Sequence, residues 1–142
     1  MRISDVLKGK GDSTVATIRP DASVSDLLAL LANRKIGAVV VSEDGTTIAG
    51  IVSERDVVRH LADQPDTLRA AVREIMTVEV ITCVPEETVE KLSGEMTEHR
   101  IRHVPVVRDG AMIGLVSIGD VVKHRIGQLQ DEAAHLAGYI HQ

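Results

Sequence analysis

The chain is written twice, and a tandem repeat leaves few folds open. Sliding the 142-residue sequence by 65 positions lays Thr17, Pro20, Val24 and Leu27 on Thr82, Pro85, Val89 and Leu92. The same shift lays Ile36, Val39, Val41, Asp44, Gly45 and Ile48 on Ile101, Val104, Val106, Asp109, Gly110 and Ile113. One residue is then missing from the second copy. At a shift of 64, Gly50, Val52, Ser53, Asp56, Val57, Val58 and His60 meet Gly114, Val116, Ser117, Asp120, Val121, Val122 and His124. The leading segments match loosely, ISDVL at Ile3–Leu7 against VREIM at Val72–Met76. Similarity at a fixed period with a single small indel marks a duplication.

Each copy has the same order of patterns. A short apolar strand, Val15–Ile18 or Val80–Val84, stops at a proline. Apolar residues at helical spacing follow: Val24, Leu27, Leu28 and Leu31 in one copy, Val89, Leu92 and Met96 in the other. Two apolar strands then flank an Asp-Gly pair, a hairpin signal, and a second helix begins at Ser53 or Ser117. The unit is β-α-β-β-α, of about 50 to 60 residues, too small to bury a comfortable core alone. The expected fold is therefore α/β (α+β), two pseudo-symmetric repeats packed as one module with a C-terminal helix. The chain divides into repeat one with its lead segment (1–63), a linker (64–67) marked by Pro65 and Asp66, repeat two (68–126) and a helical extension (127–142).

Composition narrows the partners. One Tyr and no Phe or Trp leave an aliphatic core, and remove the aromatic platforms on which single-stranded nucleic acids stack. With 16 Lys and Arg against 21 Asp and Glu, the net charge of −5 argues against a general nucleic-acid binder. A single cysteine, Cys83, excludes an internal disulfide and a cysteine-based zinc site. No apolar run approaches the roughly 20 residues that cross a bilayer, and the charged start MRISDVLKGKG lacks an apolar signal segment. The expectation is a soluble cytoplasmic protein with neither a nucleic-acid nor a membrane partner.

The doubled motif Ser53-Glu-Arg-Asp56 and Ser117-Ile-Gly-Asp120 carries the chemistry. Locally it is a capping box, with Ser capping the helix and Asp reaching back to the Ser amide. At the end of an apolar strand the same helix start presents free amides and positive dipole. There an Asp can accept from a ribose diol, while the hydroxyl and amides meet a phosphate. A second constellation opens each hairpin: Asn33-Arg-Lys-Ile-Gly-Ala-Val-Val40 in one copy, His99-Arg-Ile-Arg-His-Val-Pro105 in the other. Its cations either complement the preceding helix C-terminus or face a ligand phosphate, and Gly37 lets a flat base approach the backbone. Small residues in one copy stand against Arg102 and His103 in the other, so the two pockets are expected to differ in affinity or ligand.

These residues resemble a stand-alone pair of CBS domains, a Bateman module. The matching features are Val104-Pro105, the Asp-Gly hairpin, and the ends Gly50-Ile-Val-Ser-Glu-Arg-Asp56 and Gly114-Leu-Val-Ser-Ile-Gly-Asp120. Repeat one has Val40 where the pattern favours proline, and the resemblance covers roughly residues 1–126. It implies regulatory binding of adenosyl ligands (AMP, ADP, ATP, NAD(H) or S-adenosylmethionine) in clefts between the repeats. By the same resemblance Asp56 and Asp120 hold ribose, with Ser53 and Ser117 beside them. Ala16, Ile36, Gly37 and Ala38 line one base site, and Ile81, Ile101 and Arg102 the other. Thr77, Arg102 and His103 are its phosphate candidates, with Arg55 a further one. It also implies a homodimer and a separate effector protein.

Other patterns weigh less. Gly9-Lys-Gly-Asp-Ser-Thr14 lacks the ending of a phosphate loop and has no strand before it, so it reads as an exposed turn that could lie over a ligand. His60 and His124 each follow the motif Asp by four positions, which leaves a metal-assisted nucleotide hydrolase as one alternative and vestigial clefts in a structural module as another. His99, His103, His135 and His141 are scattered, and no catalytic constellation or metal set is specific. Along the last helix Val122, Ile126, Leu129, Ala133, Leu136 and Ile140 form a heptad seam, interrupted by Gly127 and Gly138, for packing on its own subunit or on a second copy.

Overall fold

The structure, a computed structural model, describes residues 1–10 and 15–140. Repeat one follows a lead helix α1 (Ile3–Gly9) and comprises β1 (Thr17–Ile18), α2 (Val24–Arg34), β2 (Ala38–Val41), β3 (Gly50–Ser53) and α3 (Glu54–Asp63). Two short 3-10 turns, Pro65–Arg69 and Val72–Glu74, lead into repeat two. It comprises α4 (Val89–His99), β4 (His103–Arg108), β5 (Ala111–Ser117) and α5 (Ile118–Ile140). The two copies repeat each other down to their caps. Ser23 and Thr88 accept from the amides of Asp26 and Lys91 to open α2 and α4, and Lys35 and Arg100 close them in the left-handed conformation, at φ 54° and 55°.

Three strands of repeat one form a sheet in the order β1-β2-β3. β1 runs parallel to β2 (Thr17 opposite Val40) and β3 antiparallel to it (Val39 opposite Val52). In repeat two only β4 and β5 form a ladder, and the expected strand Val80–Val84 shrinks to one parallel bridge between Cys83 and Val106. Pro105 explains the loss. It occupies the place of Val40, whose amide a parallel bridge needs at this step, and proline has no N–H to give. The Cys83 amide still donates to the Pro105 carbonyl (3.0 Å) and Val107 to Cys83 (2.8 Å). Held there, the Cys83 thiol is buried, and burial, followed by Glu87 and Glu95, pushes its pKa up to about 12.

The Asp-Gly signal holds in one repeat and not in the other. Asp109 (φ 52°) and Gly110 (φ 80°) form a two-residue turn that pairs Arg108 with Ala111. In repeat one β2 and β3 are joined instead by a wider loop, 42–49, because Asp44 recruits local donors. Its carboxylate accepts from the amides of Thr46 (2.9 Å) and Thr47 (2.7 Å) and from the hydroxyls of Ser42 and Thr47. Those amides, Thr47 first, hold the Asp44 carboxyl far below the usual carboxylate range. The loop then reaches the other repeat, where the Thr46 carbonyl accepts from the Met112 amide (2.9 Å).

The lead segments are exchanged between the repeats. α1 belongs to repeat one in sequence, yet Ile3 and Val6 are fully buried among Val89, Leu92, Met96, Val104, Val116 and Val121 of repeat two. The Ile3 amide donates to the Glu87 carbonyl, and Ser4 to Pro85. Reciprocally, Val72 and Ile75 complete the core of Val24, Leu27, Leu31, Val39, Val41 and Val52. Two glycines permit the crossing. A Cβ on Gly114 would stand 2.6 Å from Leu7 Cδ2, and one on Gly50 would stand 2.8 Å from Met76 Sδ.

α5 is a single 23-residue helix, and only Val121 of it is buried. The seam expected to find a cover stays open within the subunit, with Ile126 and Leu129 each 50% exposed and Leu136 63% exposed. Packing of this tail on its own subunit is therefore not what the structure shows. Among the described residues no helix is long and apolar enough to cross a membrane.

Candidate functional site

The lead-segment exchange opens a cleft of about 460 Å³ where the two repeats meet. One wall is the run from the end of α2 into β2, with Ile36, Gly37 and Ala38, and Ala16 lies beside it. The other wall is β5 and the start of α5, with Gly114, Leu115 and Ser117, and His103 opens β4 next to them. Leu7 and Lys10 enter from the lead segment.

At the start of α5 the capping box is formed in full. The Ser117 amide donates to Asp120 Oδ2 (2.9 Å), and the Asp120 amide donates to Ser117 Oγ (3.1 Å). Lys10 Nζ adds a bond of 2.8 Å to the same Oδ2 and another of 2.8 Å to the Leu115 carbonyl. Burial on its own would raise the Asp120 carboxyl, but Lys10 and the Ser117 amide outweigh it and hold it below the ordinary value. The equivalent box in repeat one has the Ser53 amide on Asp56 Oδ2 (2.9 Å) and the Asp56 amide on Ser53 Oγ (3.4 Å).

Six of the expected site residues line this cleft: Ala16, Ile36, Gly37, Ala38, His103 and Ser117. Asp120 joins them through Lys10. The remainder lie elsewhere. Ser53, Arg55 and Asp56 stand at the start of α3, with Arg55 exposed. Thr77 is bound to Ile51 by two reciprocal backbone hydrogen bonds. Ile101 packs on the core of repeat two, Arg102 is exposed while its backbone carbonyl accepts from the Ile118 amide, and Ile81 is half-buried. Of the stretch Gly9-Lys-Gly-Asp-Ser-Thr14, residues 11–14 lie outside the described residues, as does His141.

Lys10, Leu7, Gly114 and Leu115 line the cleft and were not among the expected site residues. Arg34 and Lys35, the hairpin-opening cations of repeat one for which a helix end or a ligand phosphate is the expected partner, line it too. The His60 ring turns Nδ1 to the Asp56 carbonyl (2.8 Å), not to its carboxylate. Among the described residues no three His, Cys, Asp or Glu side chains converge as a metal set.

His103 gives the cleft a pH response. Burial, with help from Lys10 and Arg102, lowers its pKa below the ordinary 6.5, and Asp120 and Glu54 oppose that only partly. Below 6.5 the unfolded chain takes up a proton that the native ring resists, so stability falls as pH drops from there through the lowered native value. Between pH 7.5 and 5.5 the melting temperature of His103→Gln is expected to fall less than that of the wild type. Equal slopes would show that the ring is not desolvated.

Known proteins bear on this geometry. A mitochondrial CBS domain-containing protein of Arabidopsis thaliana is 39% identical, in a match that covers 97% of this chain and 71% of the relative. The crystal structure of a CBS-domain containing protein from Agrobacterium tumefaciens superposes with a TM-score of 0.84 at 40% identity, covering 88% of this chain and 99% of that one. A CBS domain protein from Pyrobaculum aerophilum, complexed with AMP, gives 0.73 at 27% identity, covering 84% and 89%. The CBS domain family model matches twice, over residues 4–63 and 72–127, one match for each repeat built around this cleft, and the chain belongs to the CBS domain family.

Proposed function

We propose that the protein is a non-catalytic sensor that binds an adenosyl nucleotide of the AMP, ATP or NAD(H) class between its repeats. The observation that carries this reading is the meeting of two half-sites in one cleft: the Ile36-Gly37-Ala38 run of repeat one and the Ser117–Asp120 helix start of repeat two. In this reading adenine lies along Ala16, Ile36 and Gly37. The ribose diol donates to Asp120, and the phosphate turns to the lysine and arginine side chains. The AMP complex of the Pyrobaculum aerophilum relative supports the ligand class.

Ser53, Arg55, Asp56, Thr77, Ile81, Ile101 and Arg102 form the second half of the proposal, a non-equivalent site on the other side of the pseudo-twofold. A second copy covers the open seam of α5 in a homodimer. A ligand biases only conformations that it binds unequally, so the output is a change in dimer geometry read by a separate effector protein. The setting is cytoplasmic, without nucleic acid or membrane. His60, held on a backbone carbonyl, favours this reading over a metal-assisted hydrolase.

Thermal unfolding with millimolar AMP, ATP, NADH or S-adenosylmethionine tests the proposal. A ligand at a hundredfold excess over its Kd adds about 2.7 kcal/mol to the native state, so at least one nucleotide raises the melting temperature by several degrees. No rise with any of them would favour a structural module with vestigial clefts.

A further inference from the structure

We propose that this cleft selects ligands bearing phosphate, and that Lys10 sets the selection by moving from Asp120 to the phosphate when a ribose takes the carboxylate. The inference rests on the nucleotide reading above. Lys10 and the Ser117 amide both bond Asp120 Oδ2, so a ribose diol that engages both carboxylate oxygens meets a cation already seated on one of them. A displaced ammonium must find water or another anion, and a phosphate on the same ligand supplies one. An uncharged nucleoside supplies none, and a sulfonium ligand adds positive charge to the cleft.

The position of Lys10 suits an exchanging cation. It directly follows α1, which Ile3 and Val6 anchor in the core of repeat two, while its side chain remains 33% exposed. A lysine stem is flexible and its three donors can be redirected. Arg34 and Lys35 line the facing wall, so the cleft gathers three cations. Against them stand Asp120, which Lys10 already holds, and Glu54, whose Oε1 lies 3.6 Å from the point where a Gly37 Cβ would sit.

The device is one-sided. Leu7 and Met76 occupy equivalent places on Gly114 and Gly50. Three residues beyond Leu7 the chain has Lys10, and three beyond Met76 it has Glu79. The second site therefore has an acid at the matching sequence position.

Titration calorimetry at low ionic strength with adenosine, AMP and S-adenosylmethionine decides the matter. The wild type is expected to bind AMP about tenfold or more tighter than adenosine, the scale of one charge-assisted hydrogen bond, and S-adenosylmethionine more weakly than AMP. In Lys10→Met the AMP preference disappears, with adenosine binding as well as before or better because Asp120 is released. Lys10→Arg retains most of the preference. Melting curves confirm that each variant is folded, and Lys10→Gln replaces the Met variant if it is not. Equal AMP and adenosine affinities in the wild type, or a preference that survives in Lys10→Met, would overturn the inference and leave the nucleotide reading standing. Failure of every adenosyl ligand to bind the wild type would overturn both.

Discussion

Replacing Ile3 by alanine is expected to cost about 2–5 kcal/mol of stability, the range for emptying a sealed aliphatic site. Ile3 has no solvent exposure and sits with Val6 inside the core of repeat two, and its amide donates to Glu87. The control is Ile126→Ala. Ile126 is half-exposed on α5, so its loss in the monomer stays within about 0.5 kcal/mol. Urea unfolding at a protein concentration low enough to keep the chain monomeric reads both. A loss at Ile3 no larger than at Ile126 would mean that α1 is not docked across the repeats.

That docking is the part of the fold that local pattern does not encode. Duplication, helix spacing and the doubled Ser-x-x-Asp were all legible, since each rests on local pattern. The register of Ile3–Leu7 against Val72–Met76 was visible too. Which core each lead segment enters was not, because apolar residues at helical spacing fit either repeat equally well. Two further departures have local causes. The apolar residues of Val80–Val84 point to a strand, but a strand also needs a partner with amides, and Pro105 withholds one. Asp44-Gly45 carries the same turn signal as Asp109-Gly110, yet Ser42, Thr46 and Thr47 offer Asp44 more donors than a tight hairpin would allow.

Asp120→Ala is expected to weaken AMP binding by about 10- to 100-fold, the loss of a hydrogen bond to a charged acceptor worth about 1.5–3 kcal/mol. The fold should survive. Alanine removes the capping interaction with the Ser117 amide, a loss of about 0.5–2 kcal/mol, but Val121 beside it keeps α5 docked in the core. Asp56→Ala makes the comparison informative. Its capping box is the same, while its carboxylate is not among the groups gathered at the cleft of Lys10, His103 and Ser117.

In the site, Ser117 and Asp120 are legible from their repetition, and Gly37, Ala38 and His103 from their place where each hairpin opens. The cation that meets Asp120 was harder to see. Lys10 lies 110 positions away in sequence and belongs to a glycine-rich stretch that fails the phosphate-loop pattern. Only the exchanged lead segment brings it to the cleft, so no spacing along the chain could announce the pair.

The most direct test is calorimetric titration of AMP into the wild type, Asp120→Ala and Asp56→Ala, each shown to be folded by its melting curve. The account expects saturable binding in the wild type and its weakening by about tenfold or more in Asp120→Ala. Wild-type affinity in Asp120→Ala, with loss only in Asp56→Ala, would contradict the placement of the ligand in this cleft.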